Sequence, residues 1–120
     1  MGFLQGGTHR QIVRVTTASR TETIVVEKLH DDTALPRRAT AGSAGYDLFA
    51  YLRGRTIVLS DGARQWQVRT EDRDDGSHLE LPPAVMALIP LGFKATLPPG
   101  YEGQVGPRSG AAFKKGVDIP

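Results

Sequence analysis

Leu81-Pro82-Pro83-Ala84-Val85-Met86-Ala87-Leu88-Ile89-Pro90-Leu91-Gly92-Phe93-Lys94-Ala95-Thr96-Leu97-Pro98-Pro99-Gly100-Tyr101 is the stretch that decides the fold class. No long helix passes through it, because each proline lacks a backbone N–H and clashes with the preceding turn. Leu81-Pro82-Pro83-Ala84-Val85 recurs sixteen residues on as Leu97-Pro98-Pro99-Gly100-Tyr101. Each Pro-Pro pair is expected to lead into a short strand, Val85 to Ile89 and then Tyr101 to Val105. Phe93, Ala95 and Leu97 alternate with Lys94 and Thr96, the period of a half-buried strand. Two such units are too few for a solenoid, so they read as two strands entered through similar turns. Thirteen of the 39 residues from Pro82 to Pro120 are Gly or Pro, and this punctuation predicts a turn-rich, all-β body.

The rest of the chain agrees. Ile24-Val25-Val26 is β-branched and predicts a first strand over Thr23 to Leu29. Thr56 to Leu59 reads as a buried strand, and Ser60-Asp61-Gly62 as a turn after it. Gln65-Trp66-Gln67-Val68-Arg69 alternates strictly, which places Trp66 and Val68 on one face. Asp75-Gly76-Ser77 is a second hairpin signal. One short helix is expected near the end. Ser109 caps it, Ala111-Ala112-Phe113 fill its first turn, Lys114 and Lys115 suit its C-terminal dipole, and Gly116 ends it. Residues 1–21 contain no acid and three Arg, and residues 1–22 read as a disordered N-terminal extension.

Composition sets bounds on function. At 120 residues one domain is expected. The absence of cysteine excludes a disulfide scaffold, a thiolate zinc site and a cysteine nucleophile, and it fits a reducing, cytoplasmic setting. Fifteen Lys and Arg against 13 Asp and Glu leave +2, too little for a nucleic-acid footprint. No apolar run approaches the roughly 18–20 residues of a membrane span.

Most catalytic signatures are missing. His9, His30 and His78 are far apart and form no HxH or HExxH pattern. Gly106-Pro107-Arg108-Ser109-Gly110 is not a GxSxG elbow, and no Walker sequence is present. Arg108-Ser109-Gly110 is different, because it stands where the helix begins. A helix N-terminus offers free N–H groups and a positive dipole end, Gly110 allows close approach, and Arg108 presents a planar cation to phosphate oxygens. The competing reading is a capped helix with a surface arginine.

Together these residues resemble the trimeric deoxyuridine triphosphate nucleotidohydrolases (dUTPases). Ala41-Gly42-Ser43-Ala44-Gly45-Tyr46-Asp47-Leu48 is similar to the first motif of that family. Leu97-Pro98-Pro99-Gly100-Tyr101-Glu102-Gly103-Gln104-Val105 and Pro107-Arg108-Ser109-Gly110 resemble the approach to the second motif and the motif itself. Leu35-Pro36 and Ala111 to Gly116 fit as flanks. The resemblance implies a jelly-roll-like β-clip fold, a homotrimer, and Mg²⁺-dependent cleavage of dUTP to dUMP and pyrophosphate. It gives Asp47 a water-mediated role at the metal, and gives Arg108, Ser109 and Gly110 the substrate phosphates.

The chain also departs from the family. A third motif with the water-activating aspartate, a later motif and a Gly-rich closing arm are expected beyond Pro120, so no general base is assigned within the chain. Asp118 lacks matching neighbours and is not promoted to that role. Gly106 stands where many members have Arg. The interval between the motifs is long, and residues 52–81 read as an inserted hairpin region in a C-terminally incomplete domain at 23–120. Two other functions compete: a non-catalytic nucleotide-binding or regulatory relative, and the related dCTP deaminases, in which Ser usually stands where Gly110 does.

Overall fold

A computed structural model describes residues 10–16, 21–42, 45–106 and 119. Among these residues every regular element is a strand. The expected helix over Ser109 to Gly116 lies outside them.

Two three-stranded antiparallel sheets carry the fold. The first is built on Ile24-Val25-Val26. Strand β2 (Thr21–Lys28) pairs on one side with β1 (Arg10–Thr16) and on the other with β8 (Phe93–Thr96). Val26 is 1% exposed and faces Ala95 across the ladder. The second sheet is built on β3 (Thr56–Ser60), which lies between β4 (Gln65–Arg69) and β7 (Met86–Leu88). Its alternation follows the strand period of two: Ile57 and Leu59 are buried while Thr56 is exposed. Leu59 pairs with Trp66 and Ala87, and Ile57 pairs with Val68, so the predicted Trp66 and Val68 face covers this core. A two-stranded ribbon of β5 (Glu71–Arg73) and β6 (Gly76–His78) completes the set.

The all-strand architecture agrees with the predicted β-clip class. Two local expectations are corrected. Residues 10–16 were assigned to a disordered extension, but they form β1, in register with β2 from Arg10↔Glu27 to Thr16↔Thr21. Their Ile-Val-Arg-Val-Thr run is β-branched, and the pairing satisfies the N–H and C=O groups along one side of β2. The first predicted strand is therefore the second, and it is the central one of its sheet.

The region read as inserted, about 52–81, contains β3, the central strand of its sheet with Ile57 and Leu59 buried. Between β3 and its partner β7 the chain forms β4, β5 and β6.

Tyr101 to Val105 does not form a strand, and residues 101–106 are all exposed. Gly100, Gly103 and Gly106 offer no side chains to pack and carry a high ordering entropy.

Two buried threonines join the elements. The Thr70 hydroxyl accepts from the Arg55 N–H at 3.1 Å and donates to the Leu52 carbonyl, while the Thr70 N–H donates to the Arg55 carbonyl at 2.9 Å. This ties the turn before β3 to the junction of β4 and β5. The Thr33 hydroxyl donates to the Gly92 carbonyl at 2.9 Å, and that carbonyl also accepts from the Leu29 N–H at 2.9 Å. This ties the end of β2 to the start of β8.

Candidate functional site

Asp47 lies on irregular backbone between the sheets' strands, half-buried, in a single antiparallel bridge with Arg37. The Asp47 N–H donates to the Arg37 carbonyl at 2.7 Å, and the Arg37 N–H donates to the Asp47 carbonyl at 3.2 Å. Proline explains the partner strand: Pro36 pushes Leu35 into the extended region, so Leu35-Pro36-Arg37-Arg38 can lie alongside Tyr46-Asp47-Leu48.

Around this bridge two arginines cover two aromatic rings. The Arg37 guanidinium stands 5.2 Å from the Phe49 ring centre, and that of Arg38 stands 5.4 Å from Tyr46. Arg38 Nη1 also donates to the Ala41 carbonyl at 3.0 Å. These are cation–π contacts across a local pair of extended segments. They cover Tyr46, just before Asp47, and Phe49, two residues after it. The sequence reading had Leu35-Pro36 and Tyr46-Asp47 but did not pair them. The available signal was Arg37-Arg38 after a proline and aromatics on either side of Asp47.

The glycines of the first motif behave as exposed backbone. A Cβ built on Gly42 or Gly45 meets no described atom within 4 Å. Their small size is therefore not demanded by packing among the described residues.

Arg108, Ser109 and Gly110 lie outside the described residues, as do Ser43 and Ala44 of the first motif. Just before them, the Tyr101 N–H donates to the Pro98 carbonyl at 3.2 Å, with Gly100 at φ +84°. This is the form of a turn with Pro in its second place and Gly in its third. It follows the end of β8 at Thr96.

A second cluster lies four residues beyond Asp47. The Tyr51 ring stacks on His30, with centroids 4.3 Å apart and planes at 8°. Its hydroxyl donates to the Asp32 carboxylate at 2.6 Å, and Arg53 lies 3.6 Å from the other carboxylate oxygen. The bond to Asp32 raises the Tyr51 pKa, and the same bond lowers that of Asp32.

No three His, Asp or Glu side chains gather as a metal site among the described residues. The donor set at Asp47 is one half-buried carboxylate. That fits a hydrated Mg²⁺, which keeps several waters and binds through one or two carboxylates plus substrate phosphates. Among the described residues, no helix is long and apolar enough to cross a membrane.

Comparison with known proteins bears on the family of the chain. No family model matches the chain, and no solved structure matches it significantly. Curated proteins do. The deoxyuridine 5'-triphosphate nucleotidohydrolase of Beijerinckia indica is 41% identical over 87 residues, covering 72% of this chain and 41% of that protein. The protein of the same name from Hydrogenobaculum sp. is 35% identical over 96 residues, covering 80% of this chain and 50% of the relative. That from Syntrophotalea carbinolica is 32% identical over 100 residues, covering 83% and 52%. The chain thus spans about half the length of the curated relatives it matches. The similarity covers most of the chain, and every regular element among the described residues is a strand. The chain therefore belongs to the deoxyuridine 5'-triphosphate nucleotidohydrolase family.

Proposed function

We propose that this chain binds dUTP with Mg²⁺ and supplies the phosphate- and metal-handling part of its hydrolysis to dUMP and pyrophosphate. The observation that carries this reading is the similarity to proteins named deoxyuridine 5'-triphosphate nucleotidohydrolase over most of the chain. Arg108 offers a planar cation to the phosphate oxygens, Ser109 a hydroxyl, and Gly110 a backbone N–H with room for close approach. Asp47 holds metal-bound water through its carboxylate rather than binding the ion alone. When bound, Mg²⁺ supplies charge neutralisation on the triphosphate. Arg108 and Asp47 between them align the phosphate chain, and alignment together with charge stabilisation accounts for much of the barrier reduction in phosphoryl chemistry. The assembly proposed for the working protein is a homotrimer, and its setting is the cytoplasm.

The test is calorimetric titration of dUTP with and without Mg²⁺, run beside a pyrophosphate-release assay on the same chain. Saturable dUTP binding that tightens with Mg²⁺ supports the reading, and no binding under either condition removes it. A second reading has its own motivation, because no segment of the 120 residues resembles the family's water-activating motif. On that reading the chain by itself binds the nucleotide without turnover. Pyrophosphate release by the isolated chain excludes it.

A further inference from the structure

Asp47 has no ladder to either side of its bridge, so its position depends on how the irregular segment around it is attached. The segment is held at Asp47 by Arg37 and again at Tyr51, whose N–H donates to the Pro90 carbonyl at 2.7 Å. Three residues separate the two points, and a chain that short spans at most about 14 Å. A shift of Tyr51 is therefore passed to Asp47.

Tyr51 is held from three sides. Its ring lies on His30, its hydroxyl is bonded to Asp32, and its Cβ and Cγ fill the space that a side chain at Gly92 would need. The contact with Gly92 leaves no slack. A Cβ on Gly92 would lie 2.9 Å from Tyr51 Cβ, from Tyr51 Cγ and from Thr33 Oγ1. Gly92 also has φ +76°, a left-handed backbone that an L side chain strains. Three separate loops thus meet at one point: residues 29–33 after β2, residues 47–51 before β3, and residues 90–92 between β7 and β8.

We propose that Tyr51, seated against Gly92, is the positioning residue that sets Asp47 for the metal-dependent part of nucleotide binding. The proposal rests on the assignment of Asp47 made above. Tyr51 does not touch the phosphates or the metal. It acts through the backbone of residues 47–51, and misplacement of a binding group by about 1 Å costs up to about a hundredfold.

The test compares the gain in dUTP affinity on adding Mg²⁺ in the unaltered chain, Asp47→Asn, Tyr51→Phe and Gly92→Ala, by calorimetry. Tyr51→Phe keeps the ring on His30 and Gly92 and removes only the bond to Asp32, so it covers the case in which Gly92→Ala does not fold. The expected result is metal-free dUTP affinity unchanged in Tyr51→Phe, with the Mg²⁺ gain reduced several-fold. In Gly92→Ala the gain falls about tenfold or more. If Asp47→Asn loses the gain while Tyr51→Phe and Gly92→Ala keep it, the positioning role is overturned and the assignment of Asp47 stands. If Asp47→Asn keeps the gain, the assignment of Asp47 falls and the inference falls with it. Equal loss of metal-free and metal-dependent binding in Tyr51→Phe would mark a general scaffold role and also overturn the proposal.

Discussion

Ala84 and Gly100 occupy the same place in two successive Leu-Pro-Pro turns and share the same unusual backbone, with φ of +61° and +84°. The echo in the sequence is thus an echo in conformation. Only one copy has the residue suited to it. Ala84 is the only non-glycine with positive φ among the described residues. Left-handed backbone costs an L residue roughly 1–2 kcal/mol, partly offset by the greater ordering entropy of glycine. Ala84→Gly is therefore expected to stabilise the chain by about 0.5–1 kcal/mol, read as a raised denaturation midpoint in urea. An unchanged or lowered midpoint would contradict this account of the turn.

Thr70 is 7% exposed and serves both a donor and an acceptor of the turn before β3. Thr70→Val keeps the shape and removes the hydroxyl, which leaves the Arg55 N–H and the Leu52 carbonyl bonded only to each other, at 3.2 Å. A lost hydrogen bond costs about 0.5–1.5 kcal/mol, so the two lost here set a scale of about 1–3 kcal/mol. The expected outcome is a loss of that size in unfolding free energy, with Thr70→Ser recovering most of it. Equal loss in both variants would point to packing of the methyl group instead.

Asp61 organises the β3–β4 turn by accepting from the Ala63 and Arg64 N–H groups at 2.9 and 3.0 Å. These bonds, Ala63 first, lower its pKa below the ordinary aspartate value. The depressed group stabilises the fold above its unfolded pKa, about 3.9, and that contribution is lost as pH falls through the folded value. Asp32, Asp72 and Asp75 are lowered too, by Tyr51, Ser77 and His78 respectively. The melting temperature is expected to hold down to about pH 4 and to fall below it. In Asp61→Asn the fall is expected to be shallower. An identical acid limb in both proteins would show that the turn does not contribute to it.

Arg108→Ala and Ser109→Ala are expected to weaken dUTP binding in the absence of metal, because both residues are assigned to the phosphates. Asp47→Asn is expected to spare metal-free binding and to remove the tightening by Mg²⁺. For a charge-assisted contact a loss of about tenfold or more is the scale. Calorimetric titrations at matched ionic strength check both. Unaltered binding in Arg108→Ala and Ser109→Ala would remove the phosphate assignment.

The strands with a regular period were legible before any coordinates. Thr56 to Leu59 and Trp66 with Val68 show the two-residue alternation that puts one face inward, and local geometry alone enforces it. The motif residues stood out through the family resemblance: Ala44-Gly45-Tyr46-Asp47 and Arg108-Ser109-Gly110 are short runs similar to its first and second motifs. The Pro and Gly punctuation identified turns because each residue restricts or frees φ by itself. Residues 10–16 were not legible as β1, since a β-branched run pairs only if another strand offers it an edge. Tyr101 to Val105 failed in the opposite way, because it had strand spacing and no ladder partner among the described residues.

By itself the sequence determined the all-β class and most of the turns, because these follow from backbone freedom and side-chain type within a few positions, and it supplied the residues to which phosphate and metal roles are proposed. Tertiary structure decided what pairs with what. It made β3 the central strand of its sheet and set Arg37 against Asp47 across ten residues. It also brought Thr33, Tyr51 and Gly92 to one point. Those relationships depend on long-range hydrogen bonds and on space for a single atom. No local pattern encodes either one.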